Sequence, residues 1–291
     1  MNSTGERTIS RIHPIVPMGS DGQVDKKAAV LPPGYFEMFD PFLLMFEDWF
    51  STPGFDWHPH RGIETVTVVV DGALEHGDSR GNAGVLAPGG IQWMTAGNGI
   101  IHREMAHRDE HVHTLQLWVN LPSTHKMVDS RYQDFTPDTM ATHDDGRGAR
   151  LELVSGRTNG IAGPADNHHP ITGGTVRLEP GATITLDLPS EDRAFVYALT
   201  GNVTVGAQRA PLAAGEVAWS DPDPSATQLT LAASAEQDAP ATLVTFSGRP
   251  INERIVARGP FVMNDEAEIA AAYTDFRSGR FGDIPRLARV P

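Results

Sequence analysis

Two short segments carry side chains that together can hold a metal ion. His58-Pro59-His60 and His102-Arg103-Glu104 each set two ligand-type groups two residues apart. On an extended chain that spacing turns both groups to one face, whereas on a helix they would diverge. Three imidazoles and one carboxylate, drawn from two strands, form a donor set that suits Fe, Mn, Ni, Cu or Zn and does not choose among them. Eight of the 12 histidines lie between His58 and His125, so the signal is the paired spacing and not the crowding. His111 and His113 form a further i, i+2 pair, expected at the start of a strand on the cleft rim, because a working site must keep positions open. Arg61 and Glu64 flank the first pair and are expected to form a mutual ion pair in the barrel wall.

Competing chemistries find less support. Gly97-Asn98-Gly99-Ile100-Ile101-His102 begins like a dinucleotide fingerprint but has His where the third glycine belongs. No G-x-x-x-x-G-K-[S/T] and no H-E-x-x-H occurs, and no serine nucleophile is expected. The absence of cysteine excludes disulfides, thiolate zinc sites, iron–sulfur clusters and a thiol nucleophile. A formal net charge of -14 would repel phosphate backbones, so no direct nucleic-acid ligand is expected. No apolar run approaches the ~18 residues of a membrane helix. Met1 to Pro17 lacks the continuous apolar stretch of a signal peptide, which leaves the cytoplasm as the default compartment. A monomer is the expected state.

The elements that position these residues read as short strands. Gly 29 and Pro 22 punctuate β-branched runs at close spacing, the pattern of a barrel or sandwich with little helix. Strands are expected at 65–70, 91–94, 114–119, 175–178, 183–188, 195–199 and 243–246. Asp265 to Phe276 has acidic residues in its first turn and apolar residues at helical spacing, so a helix is expected there. The frame L-A-x-G-x-[I/V]-x-W occurs twice, at Leu86–Trp93 and at Leu212–Trp219, each copy preceded by a β run closed at a glycine, Gly72 or Gly201. Two related β-domains in tandem explain the repetition, with the polar stretch from Thr136 to Arg150 as linker.

The stretch FDWHPHRGIETVTVVVDGALEHGDSRGNAGVLAPGGIQWMTAGNGIIHREM resembles the signature of pirins, members of the cupin superfamily. The resemblance extends to DPFLLMFEDW before it, to QLWVNLP and RYQDF after it, and to PINERIVARGPFVMN and FRSGRFG near the C-terminus. It is weak from about Met140 to Arg249. It implies an all-β bicupin, two tandem double-stranded β-helix barrels with a short C-terminal helix. The expected boundaries are 1–138 for a metal-binding N-terminal cupin and 139–291 for a C-terminal cupin that ends in the helical tail.

Position by position, the resemblance implies His58, His60, His102 and Glu104 as ligands of one mononuclear divalent metal, iron foremost. Glu64 follows the H-x-H as a ligand does in cupins generally, whereas pirins resemble one another in using the carboxylate two residues after the third His. Bacterial pirin-like proteins are similar to quercetin 2,3-dioxygenases, in which a flavonol meets the metal through ring oxygens and dioxygen opens the heterocycle, expelling carbon monoxide. A small planar phenolic and dioxygen are the substrates so implied, with Glu104 as both ligand and acceptor of the flavonol hydroxyl proton. Phe42, Phe46, Phe55, Trp57, Trp93 and Met94 are placed to clasp a planar ring or to fill the barrel core, and Trp93 is assigned to core because Trp219 repeats it. The other reading is an iron-binding, redox-responsive regulatory protein that binds a protein partner, as pirins in nuclei are thought to do.

Aligning the copies through Gly72 and Gly201 sets Asp187, Pro189 and Arg193 at the positions of His58, His60 and Glu64. Aligning Trp93 with Trp219 sets Gln228 and Thr230 at those of His102 and Glu104. The second barrel is therefore expected to hold no metal.

Overall fold

A computed structural model describes residues 5–51 and 54–284 of the chain, so Met1 to Thr4 of the leading segment lie outside it. Strands dominate, as the turn-punctuated β-branched runs require, and each expected strand forms with one or more residues added or removed at its ends. The central strand Ile63–Asp71 is buried along nearly its whole length, so Glu64, Thr65 and Thr67 are buried together with its valines.

The described residues divide into two compact units, one made of 16–137 with the tail from 251 onward and the other of the leading arm up to 15 with 138–250. This corrects the single cut at 138/139, because both chain ends join the barrel to which they are not adjacent in sequence. In the first unit a seven-stranded sheet runs in the order Arg131–Phe135, Ile91–Thr95, Ile63–Asp71, Val112–Asn120, Phe42–Phe50, Lys26–Leu31, Val16–Pro17. Its second sheet runs Phe55–His60, Ile100–Ala106, Leu74–Asp78, Ala83–Leu86.

The other unit repeats this plan. Its larger sheet is Ala141–Asp144, Ala149–Ser155, Ile171–Leu178, Ala241–Gly248, Arg193–Thr200, Glu216–Ser220, Arg11–Pro14. Its smaller one joins Thr183–Asp187, Ala226–Ala233, Val203–Val205 and Ala210–Leu212, with Gly5–Glu6 added on Ala226–Ala233. Arg11–Pro14 thus occupies beside Glu216–Ser220 the place that Arg131–Phe135 occupies beside Ile91–Thr95. An uncovered sheet edge invites pairing with other chains, and here the N-terminal arm covers it. Trp93 and Trp219 are both fully buried, as the repeat implied.

The stretch expected as a linker, Thr136 to Arg150, contains a hairpin between Ala141–Asp144 and Ala149–Ser155. Its polar composition is that of an edge strand and its turn, in which the Asp145 carboxylate accepts from the Arg147 and Ala149 N–H groups.

The tail forms the helix Glu266–Arg277, with Asp265 as N-cap accepting from Glu268 N–H and Glu268 reaching back to Asp265 N–H. Ile269 and Ala272 bury its inner face against Phe261, Met263, Phe281 and Ile101, so the helix belongs to the first unit and not to the C-terminal cupin.

Candidate metal centre

His58 and His60 lie on Phe55–His60, and His102 and Glu104 on the neighbouring antiparallel strand Ile100–Ala106. His102 pairs opposite His58, and Ile100 opposite His60. The imidazole rings converge, with centroids 4.3 Å apart for His58 and His102, 4.9 Å for His58 and His60, and 5.0 Å for His60 and His102. One nitrogen from each lies within 4.8 Å of the others. His102 and Glu104 lie two apart on a strand that pairs regularly with Leu74–Asp78, while against Phe55–His60 the register shifts at an extra residue between Phe55 and His58, so that Glu104 opposes Phe55.

The donor chemistry fits a transition metal. A carbonyl oxygen can only accept, so the contacts of His58 Nδ1 with Asp56 O at 2.7 Å and of His60 Nδ1 with Pro260 O at 3.3 Å put a proton on each Nδ1. The Nε2 lone pairs are then free to ligate. His60 Nε2 and both nitrogens of His102 are buried without a hydrogen-bond partner, a costly state that a bound cation relieves. Burial, with the charge of His58 second, holds His60 well below the usual imidazole range, and burial with His58, His60 and His76 does the same to His102. Both rings are therefore neutral, as a ligand must be.

Glu104 is buried beside this group but is not among the side chains within 4.8 Å of one another. Its Oε1 accepts from Thr67 Oγ1 at 3.0 Å and its Oε2 from Gln116 Nε2 at 2.5 Å. Trp118 Nε1 donates to Gln116 Oε1 at 3.3 Å, which fixes the amide the right way round. Each carboxylate oxygen keeps a second lone pair for a metal or a proton.

The other sequence expectations divide. Arg61 does not pair with Glu64; its guanidinium grips Asp275 at 3.0 Å, while Glu64 accepts from Thr95 Oγ1 at 2.7 Å. Asp275 comes from the tail helix, 214 positions along the chain, where local spacing carries no signal of it. His113 begins Val112–Asn120, stacks on Trp49 at 4.4 Å and contacts Glu47 at 2.8 Å, away from the ligand group. The spacing G-x-S-x-G does occur, at Gly77-Asp78-Ser79-Arg80-Gly81. Ser79 is nonetheless no nucleophile, since its Oγ donates to Phe281 O and accepts from Ile101 N–H.

Of the aromatic set, Phe42, Trp93 and Met94 are core, Phe46 lies under the Lys27 ammonium and Trp57 under the Arg103 guanidinium. Phe55 stays beside His58, 6.4 Å between centroids. Sequence reasoning missed Trp118, whose ring meets His60 edge-on at 4.9 Å, together with Gln116 and Thr67. The alternation in Gln116-Leu117-Trp118 was the available signal, since it sets both polar-tipped side chains on one strand face. It also missed His76, which pairs opposite Glu104, stacks on Tyr132 at 5.2 Å and meets Asp134 at 3.0 Å.

Duplicated barrels with a three-histidine cluster in one of them define a bicupin, and the cluster is one that could hold a metal ion. The family model for pirin matches residues 23–119, and that for the pirin C-terminal cupin domain matches 174–282. Human pirin is 36% identical over 256 residues, covering 84% of this chain and 83% of that protein. Pirin-like protein 2 of Arabidopsis thaliana is 36% identical over 252 residues, 84% of this chain and 77% of the relative. A crystal structure of quercetin 2,3-dioxygenase from Acinetobacter baumannii superposes with a TM-score of 0.78 at 31% identity, covering 98% of this chain and 99% of that one. The chain belongs to the pirin family.

Proposed function

We propose that this protein is a metal-dependent dioxygenase that opens the heterocycle of a flavonol such as quercetin, with His58, His60, His102 and Glu104 holding one divalent metal, natively iron. The observation that carries the reading is the convergence of half-buried His58 with buried His60 and His102, which carry unpartnered nitrogens, flanked by a carboxylate that two donors hold in place. The likeness to the Acinetobacter dioxygenase over nearly the whole of both chains supports the substrate class.

The bound metal would supply the positions at which a phenolic oxygen and dioxygen meet, chemistry that no side chain here provides. The remaining work falls to this chain's residues. Glu104 accepts the flavonol hydroxyl proton, raising electron density on the ring that dioxygen attacks. Thr67 and Gln116 hold the carboxylate in one orientation, so no reorganisation is needed as it takes the proton. Trp118 and Phe55 present aromatic surface beside His60 and His58, which suits a planar substrate and excludes water.

The test is dioxygen uptake and carbon monoxide release by Fe(II)-loaded protein on addition of quercetin. Uptake stoichiometric with quercetin loss is expected. A fully loaded protein that consumes no dioxygen with any flavonol would overturn the enzymatic reading in favour of the regulatory one.

A further inference from the structure

The His cluster is contacted by a part of the chain that lies far from it in sequence. The hairpin of Val256–Arg258 and Phe261–Met263 turns at Gly259-Pro260, and the Pro260 carbonyl is the acceptor for His60 Nδ1, 200 positions away. His58, by contrast, uses the carbonyl of Asp56, two residues back on its own strand. The tautomer of His58 is thus set locally, and that of His60 depends on where the hairpin sits.

Three features fix that place. Phe261 bridges Arg61 in parallel, and Val262 N–H donates to Arg61 O at 3.1 Å, directly beyond His60. Gly62 has φ +79, and a Cβ there would lie 2.0 Å from Val262 O, so only glycine lets the hairpin come this close. Lys126, 2% exposed, spends its three ammonium donors on Gly62 O at 2.8 Å, Val262 O at 2.9 Å and Asn120 Oδ1 at 2.6 Å. Further out, Tyr273 Oη donates to Arg258 O at 3.2 Å from the capped tail helix.

We propose that this C-terminal hairpin, clamped by Lys126, is the positioning element for His60: its Pro260 carbonyl imposes the Nδ1–H tautomer and so presents Nε2 as the metal donor. The inference rests on the proposed metal reading. Lys126 touches no ligand, and it acts by holding the Gly62 and Val262 carbonyls in a fixed relation on either side of the gap between strand and hairpin.

The experiment combines long-range proton–nitrogen NMR of the apo-protein's imidazoles with titration of apo-protein by Ni(II). In the wild type His60 and His58 are both expected as Nδ1–H tautomers. In Lys126→Met, His58 is expected unchanged, His60 to become a tautomer mixture, and Ni(II) affinity to fall about 10–100-fold, the usual cost of losing a partner that orients a ligand. An Nε2–H His60 in the wild type would overturn the proposal, as would a Lys126→Met protein with lowered Tm but unchanged tautomer and affinity. If Lys126→Met does not fold, Tyr273→Phe replaces it, with a several-fold weaker affinity and the same His60 change expected; no change in either readout counts against the proposal. Failure of the wild type to bind Ni(II) would break the metal reading itself, whereas Ni(II) binding by a protein whose His60 is Nε2–H would break only the hairpin's role.

Discussion

The two barrels place equivalent residues in the same register and fill their interiors with different chemistry. In the first, His58 opposes His102; in the second, Asp187 opposes Gln228 in the matching pair of strands, the correspondence that the glycine and tryptophan alignments implied. The second ladder then continues regularly, Leu229 to Leu186 and Thr230 to Thr185. The first breaks into a bulge before Glu104. Asp187 is exposed and Gln228 half-buried, and the core of that barrel is one large cluster built from the alternate positions, in which Leu186, Leu188, Leu229, Leu231 and Leu243 are all buried. Around the histidines the buried apolar side chains are interleaved with buried Glu47, Asp48, His76, Gln92, His102 and Glu104. One copy is filled as a stable core and the other as a polar site, so the fold itself does not decide the function.

The comparison breaks most sharply under ligand removal. His60→Ala or His102→Ala should abolish binding of the single metal expected per chain, while Gln228→Ala, at the equivalent register, should leave stoichiometry at one by metal analysis. Two metals per chain would mean that the second barrel also binds.

Glu104→Gln should cut flavonol turnover per bound metal by about a hundredfold or more, with the loss shrinking at higher pH as bulk base ionises the hydroxyl. Thr230→Val, its counterpart, should leave turnover unchanged. Turnover per metal like that of the wild type would remove Glu104 as the base and leave it a ligand.

Stability should respond in the opposite barrel. Leu231→Ala opens a cavity in the apolar core and should cost about 2–5 kcal/mol by denaturant unfolding, without altering metal stoichiometry. Chelation should leave the β circular dichroism intact, since barrels of this size bury enough apolar surface to fold without the ion.

The smallest effect concerns Asp48, which burial pushes up to about 7 against the opposing Lys27 ammonium, with Glu104 adding to the rise. Between an unfolded value of about 3.9 and this folded value the native state holds a proton that the unfolded state has released. Stability therefore declines as pH rises through that window, and the penalty is complete above about 7. Asp48→Asn should raise stability by ~2 kcal/mol at pH 8 and by little near pH 4. A gain independent of pH would show that Asp48 is ionised throughout.

The two i, i+2 pairs were legible because period-two alternation is a property of any strand, so His58, His60, His102 and Glu104 could be grouped before their strands were known to be neighbours. The repeat was legible for a similar reason, since a glycine turn and a buried tryptophan recur wherever the same sheet corner is built. Arg61 marks where this local reasoning ended: its partner is Asp275, from a helix whose amphipathic pattern was visible but whose docking face was not.

By itself, then, the amino-acid sequence determined which segments are strands, which side chains share a strand face, and which copy of the barrel carries imidazoles. Those are short-range consequences of backbone geometry and side-chain type. Tertiary structure alone decided that both chain ends cross to the other barrel, that Thr67 and Gln116 meet the Glu104 carboxylate, and that Pro260 reaches His60 on a hairpin held by Lys126. Each of these depends on which apolar surfaces and unpaired backbone groups find partners far away along the chain. Local periodicity carries no information about that choice, because many distant segments offer the same pattern and only packing selects among them.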